Sequence, residues 1–101
     1  MILALKVHDR DNVATLFADA VRAGSEVEVR DKEGRKDHLT VHADIPYGHK
    51  VALADIPKGA EIYKYGESIG AASVDIRRGD YVHVHNLESL RARGDLEGGS
   101  R

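Results

Sequence analysis

One short phrase, repeated along the chain, does most to limit what this sequence can fold into. "DIPKGAEI" occupies residues 55–62 and "DIRRGDYV" occupies 75–82, twenty positions further on. Aspartate, isoleucine, a basic residue, glycine and a closing β-branched residue coincide in the two copies. A looser copy, "DAVRAGSEV", lies at 19–27 with one extra residue before its glycine. Each copy follows a small apolar run: "VATLFA" at 13–18, "VALA" at 51–54 and "AAS" at 71–73. Repetition of this kind marks a structural unit used more than once. The unit reads as a short strand, a tight turn and another strand. Aspartate bonds to backbone amides ahead of it, Pro57 pre-sets φ, and glycine supplies a positive φ. Beyond each glycine the residues alternate as strands do: Glu61-Ile62-Tyr63-Lys64-Tyr65, then Asp80-Tyr81-Val82-His83-Val84-His85. This places Val82 and Val84 in the core, with Tyr81, His83 and His85 on the opposite face.

One segment argues for helix. In "DNVATLFADAVRAG", Val13, Leu16, Phe17, Ala20 and Val21 follow helical spacing, with Asp11 as N-cap and Gly24 just past the end. A short helix is therefore predicted within 12–22. "EVEVR" (26–30) reads as a strand, "DKEGRK" (31–36) as a hairpin turn, and "DHLTVHADI" (37–45) as the return strand. Residues 1–93 are expected to form one domain, and "GDLEGGSR" (94–101), which lacks an apolar pattern, a frayed tail. The sum is a small, mostly β, single domain of many short strands with one short helix near the N-terminus. A barrel-like or clip-like arrangement is favoured over a sandwich, because the strands are too short and few for two full sheets.

Composition excludes several functions. At 101 residues the chain is one domain with a modest core. Four Tyr and one Phe leave that core to Val, Ile, Leu and Ala. A formal charge of −2 gives no electrostatic case for nucleic acid or for an anionic membrane surface. The absence of cysteine removes disulfides, thiolate catalysis and zinc–thiolate sites. The apolar opening Ile2-Leu3-Ala4-Leu5 meets charge at Lys6, Asp9 and Arg10, too early for a signal peptide or a membrane span. It reads as a first strand, in a cytoplasmic protein.

Polar residues too specific for turns gather in "YGHK" (47–50), "KYGESIG" (64–70) and "HVHN" (83–86). His83 and His85, two apart on an expected strand, can offer one nitrogen each to a divalent cation, with a third ligand from elsewhere. An anionic substrate suits the same pair, and so does a merely wetted strand face. His49 and Lys50 combine a titratable base with a fixed positive charge beside a glycine that lets a ligand approach. Lys64 can pair with a carboxylate, and Tyr65 can donate a hydrogen bond. No nucleophile elbow or phosphate loop is present: Ser68 and Ser73 lack the context, and "GESIG" lacks the spacing.

Taken in order, these pieces resemble a known family. They are Gly48-His49-Lys50-Val51-Ala52, Lys64-Tyr65-Gly66 with Ile69-Gly70, the Asp-Ile-x-x-Gly turn at 75–79, Val82-His83-Val84-His85-Asn86-Leu87 and Arg93-Gly94-Asp95. The chain is similar to the small SAF-type N-terminal domain, or separate small subunit, of the altronate and galactarate dehydratases. The family includes the small subunit of sulfolactate sulfo-lyase. The resemblance covers roughly residues 11–96. It implies a β-clip fold and a part in the β-elimination of water, or of sulfite, from a sugar acid or related hydroxy acid. It also implies a separate large catalytic subunit, without which this chain is not expected to be active, and a divalent metal, iron or manganese, in the complete enzyme. In such chemistry a base removes the proton α to a carboxylate while a cation stabilises the enediolate. Carried over, His49 and Lys50 become the catalytic candidates; Lys64, Tyr65 and Asn86 the substrate-binding ones; and His83 and His85 the metal ligands. The Met1 start favours a separate subunit over a trimmed fragment, and self-association into a homo-oligomer is compatible with it. The alternatives are a non-catalytic SAF module that binds a carbohydrate or hydroxy acid, and a small metal-binding protein.

Overall fold

Four turns of one kind organise the chain. A computed structural model describes residues 2–19 and 21–89. Within them the turns Arg22–Ser25, Pro46–His49, Pro57–Ala60 and Arg77–Asp80 each close with the fourth N–H donating to the first carbonyl, at 3.0, 3.1, 2.9 and 2.9 Å. The third residue is always glycine: Gly24, Gly48, Gly59 and Gly79, with φ of 89°, 78°, 90° and 95°. A turn of this type needs positive φ at that place, which residues with a Cβ resist. Each of these glycines also donates its N–H across the fold, to the carbonyls of Val41, Leu16, Ala72 and Ala52.

The copies work in pairs. Val21 bridges to Ile45, and Ile56 bridges to Ile76. All four side chains are buried at 1–2% exposure, so each bridge is also an apolar contact. The aspartates cross over between partners. Asp44 accepts from the Ala23 amide (2.8 Å), Asp75 from Lys58 (2.8 Å) and Asp55 from Arg78 (2.9 Å). For these three aspartates the expected bond to their own turn is thus replaced by a bond to the partner turn. Pairing also reveals a fourth copy, Asp44-Ile45-Pro46-Tyr47-Gly48. It lies eleven positions before the Asp55 copy, outside the twenty-residue spacing, and merges with the end of an expected strand.

Among the described residues run nine strands in two sheets. The larger sheet contains β1 (Ile2–Leu5), β2 (Val13–Leu16), β3 (Glu26–Arg30), β4 (Lys36–Thr40), β5 (Lys50–Ala52) and β8 (Tyr81–Val82), ordered β4-β3-β1-β2-β5-β8. Its β1–β3 pair is parallel and the others antiparallel. The smaller sheet orders β6 (Glu61–Lys64), β7 (Glu67–Ala72) and β9 (Leu87–Glu88) as β6-β7-β9. One apolar cluster centres on Leu16, Val27, Ile45 and Val51; a second centres on Val13, Ile56, Ile62, Ile76 and Val82. β2 supplies residues to both, and so joins the two halves. Each fully buried aliphatic side chain contributes about 1.5–3 kcal/mol of transfer free energy.

The mostly β, small-domain expectation holds, and the helix does not. The described residues contain no helix, and Val13–Leu16 is a strand buried along its whole length. It pairs with β1 on one side and β5 on the other. A strand covered on every side carries a continuous apolar run with no period of two, which also satisfies a helical pattern. Asp11 caps no helix either. Its buried carboxylate accepts from the amides of His8 (3.1 Å), Tyr65 (3.0 Å) and Gly66 (2.8 Å), and so holds the β6–β7 turn. Asn12 continues the clamp, donating to the Glu61 carbonyl and accepting from the Tyr63 amide.

Two smaller expectations also change. β3 and the hairpin turn stand as read, with Asp31 accepting from the Glu33 and Arg35 amides. The return strand, however, stops at Thr40, where the chain begins to bend into the Asp44 copy. The 80–85 strand is only Tyr81–Val82. Residues 83–86 form a turn in which Val84 is 79% exposed, so it does not join Val82 in the core. The expected tail at 94–101 lies outside the described residues.

Candidate functional site

The "YGHK" and "HVHN" segments meet because β5 and β8 are neighbours in the larger sheet. Gly48 turns the chain so that His49 and Lys50 lead into β5. Lys50 lies opposite Thr15 on one side and Val82 on the other, and Val51 faces Tyr81. This register brings the His49 ring against Tyr81, with Nδ1 2.6 Å from the phenolic oxygen. His83 packs on both: its ring centroid is 4.5 Å from that of His49 and 5.7 Å from that of Tyr81, with the Tyr81 and His83 planes only 9° apart. His85 comes onto the other part of Tyr81, at 5.3 Å. The three imidazoles therefore gather around one phenol, although the strand expected to align two of them does not exist.

Asn86 makes the turn that puts them there. It is buried, donates through Nδ2 to the Tyr81 carbonyl (2.8 Å) and accepts through Oδ1 from the His83 amide (2.9 Å). The His83 carbonyl in turn accepts from the Asn86 and Leu87 amides. The side chain expected to bind substrate is thus engaged with the backbone and fixes the directions of Tyr81 and His83.

Lysines complete the group. The Lys50 amine is held below the usual lysine range, first by burial and then by the positive charge of Lys64. His83 is likewise held below the usual histidine range, first by burial and then by the charges of His49, Lys50 and His85. Every charge that acts on these two groups is positive. The charges felt by Lys50 and His83 are thus all cationic, an arrangement suited to an anion, while Asp75 and Asp80 lie in the groove that Tyr81 shares with His85. Lys64 lies at the end of β6, and its ammonium sits 5.0 Å over the Tyr65 ring. Tyr65 is the one non-glycine with positive φ (58°) among the described residues, held so by the Asp11 clamp on its own amide and the next.

The three imidazoles do not converge as a three-ligand metal site. Among the described residues the trio with ligand atoms within 4.8 Å of one another is Asp9, Asp31 and Glu33. Arg35 already pairs with all three, Asp9 at 2.8 Å and the other two at 2.5 Å. That trio is a surface ion-pair network, with Asp31 half-buried. Tyr81 is the site residue that sequence reasoning noted on the right face but did not select. Its signal was its place two residues before His83 and four before His85.

A family model, the altronate/galactarate dehydratase SAF domain, matches residues 2–90. The chain belongs to this family. Over 85 residues it is 45% identical to altronate dehydratase of Escherichia coli, covering 84% of this chain and 16% of that protein. It is 44% identical over 79 residues to galactarate dehydratase (L-threo-forming) of the same organism, covering 77% of this chain and 14% of that one. It is also 35% identical over 94 residues to (2R)-sulfolactate sulfo-lyase subunit alpha of Chromohalobacter salexigens, covering 90% of this chain and 99% of that subunit. The SAF chain thus spans about one sixth of the length of the dehydratases it matches, and nearly all of a sulfo-lyase subunit. No helix among its described residues is long and apolar enough to cross a membrane.

Proposed function

We propose that this SAF chain is the small component of a cytoplasmic hydro-lyase that dehydrates a sugar acid or related hydroxy acid together with a large catalytic subunit. The observation that carries the proposal is the gathering of His49, Tyr81, His83 and His85 beside Lys50 and Lys64, where every charge acting on Lys50 and His83 is positive. Such a group neutralises the carboxylate of the acid and the charge that develops on it as the α-proton leaves. Lys50, whose burial favours the neutral amine, is the group suited to take the α-proton, with His49 beside it to hydrogen-bond the acid. Lys64 and the exposed Tyr65 contact the polar remainder of the acid. In the elimination the C–H electron pair forms the new double bond, and the β-hydroxyl departs with a proton as water. A divalent metal such as iron or manganese belongs to the complete enzyme under this proposal. Because the imidazoles do not converge as ligands, no step here runs through it. The cluster lies open on the protein surface, which agrees with closure by a second polypeptide.

The test is to co-express the chain with a candidate large dehydratase subunit, purify the pair and measure turnover of aldonates, aldarates and sulfolactate. Activity should require both components. His49→Ala or Lys50→Ala should lower kcat by about 10²–10⁴-fold. Full activity in His49→Ala, His83→Ala and His85→Ala alike would overturn the site, and binding of an acid without turnover would leave a binding module.

A further inference from the structure

We propose that Tyr81 is the positioning residue of this site: its phenol donates to Nδ1 of His49 and holds that imidazole as the Nε2–H tautomer, so that His49 meets its ligand as a hydrogen-bond donor. The inference rests on the anion-binding reading of the cluster and assigns His49 one role within it.

The geometry carries it. Among the described residues Tyr81 Oη has one hydrogen-bond partner, His49 Nδ1, at 2.6 Å. In a pair of neutral groups the phenolic O–H is the stronger donor and the bare imidazole nitrogen the stronger acceptor. The phenol oxygen, whose lone pairs are delocalised into its ring, accepts poorly. The proton of the bond therefore stays on Tyr81, and the ring proton of His49 goes to Nε2. Tyr81 cannot easily swing away. Its backbone pairs with Val51, its carbonyl accepts from Asn86, and its ring is packed by His49, His83 and His85. The same phenol also lines two open grooves, one with His42, Asp75, Asp80 and His85, the other with Arg22, Asp44 and Pro46. His49 in this form cannot take a proton at Nε2, which leaves the half-buried amine of Lys50 as the base of the pair.

The test uses the full chain, labelled with ¹⁵N, at a pH where its imidazoles are neutral. Long-range ¹H–¹⁵N correlation should show His49 with a protonated Nε2 and an unprotonated Nδ1, and a coupling from the Tyr81 hydroxyl proton to that Nδ1. In Tyr81→Phe the two His49 nitrogens should average towards a tautomer mixture while the other imidazoles keep their pattern. A protonated Nδ1 in the parent, or an unchanged His49 in Tyr81→Phe, would overturn the proposal. Should Tyr81→Phe fail to fold, the parent tautomer and the hydroxyl coupling decide by themselves. With the large subunit present, His49→Gln keeps a donor near the place of Nε2 and should retain more activity than His49→Asn, whereas equal loss in both would refute the donor role. A parent pair with no turnover at all counts against the proposed reaction and leaves the tautomer result standing.

Discussion

Replacing Gly79 by alanine puts a methyl group where the fold has no room for one. Gly79 has φ +95°, and a Cβ there would stand 2.4 Å from the Thr40 carbonyl oxygen and 3.3 Å from two atoms of the His42 ring. Two costs add. A residue with a Cβ pays about 1–2 kcal/mol for the left-handed conformation. The overlap falls on backbone, in a strand that pairs with β3 at Glu26, so relief requires that strand to shift. Forced overpacking costs about 1–3 kcal/mol more. The sum, about 2–5 kcal/mol, is a large share of the total stability of a domain this size. Gly34 is the internal control, because its φ is +81° yet nothing lies within 4 Å of an added Cβ. Urea denaturation followed by circular dichroism should move the midpoint of Gly79→Ala well below that of Gly34→Ala, at an unchanged slope. Equal destabilisation of the two variants, within about 0.5 kcal/mol, would refute the reasoning.

Asp11→Ala leaves the amides of His8, Tyr65 and Gly66 without their acceptor and should cost about 3 kcal/mol by denaturant titration. Asp11→Asn, which keeps one acceptor oxygen, should cost less. Lys50 sheds its proton more easily folded than unfolded, so its contribution to stability improves as pH climbs towards the unfolded value of 10.5. Lys50→Met should therefore be more stable than the parent at neutral pH while losing affinity for anions in a calorimetric titration, and a loss of stability would contradict the burial argument. His83 behaves alike at lower pH: the unfolded chain takes up its proton near 6.5 and the folded chain resists it, so stability falls on acidification through that range. His83→Asn should flatten that decline between about pH 7 and pH 5, measured as the pH dependence of the urea midpoint.

What was legible in the sequence followed from local chemistry. "EVEVR" alternates, and Asp31 with Gly34 marks a turn, so β3 and its hairpin were readable residue by residue. The repeated phrase disclosed the turns but not their partners, because an aspartate that caps its own turn and one that caps another leave the same letters. Val13–Leu16 misled because burial on every side erases the alternation that distinguishes a strand from a helix. "VHVH" misled in the opposite way. Its alternation is that of a strand, yet Asn86, three residues on from His83, binds that residue's amide and bends the chain, as asparagine does where a backbone donor is in reach. The histidines nonetheless come together, because Tyr81 gathers them by contact rather than by strand register. Tyr81 itself was hidden, because the role of a tyrosine depends on what its hydroxyl reaches across thirty-two positions of chain.

The crossed aspartates set where this chain can be divided. Three of the four turns borrow an acceptor from their counterpart, so such a turn alone is unfinished, whereas the 19–24 and 44–48 copies together, or 55–59 and 75–79 together, keep each bridge and each borrowed acceptor. A cut at the exposed Ala54 falls between the sets and leaves both whole. The β5–β8 edge and the two-sided burial of β2 would then be the adhesive that brings the pieces back. His49 and Lys50 lie on one piece, Tyr81, His83 and His85 on the other. The histidine–tyrosine cluster is thus a property of the seam between two interlocked halves, and it exists only while they are joined.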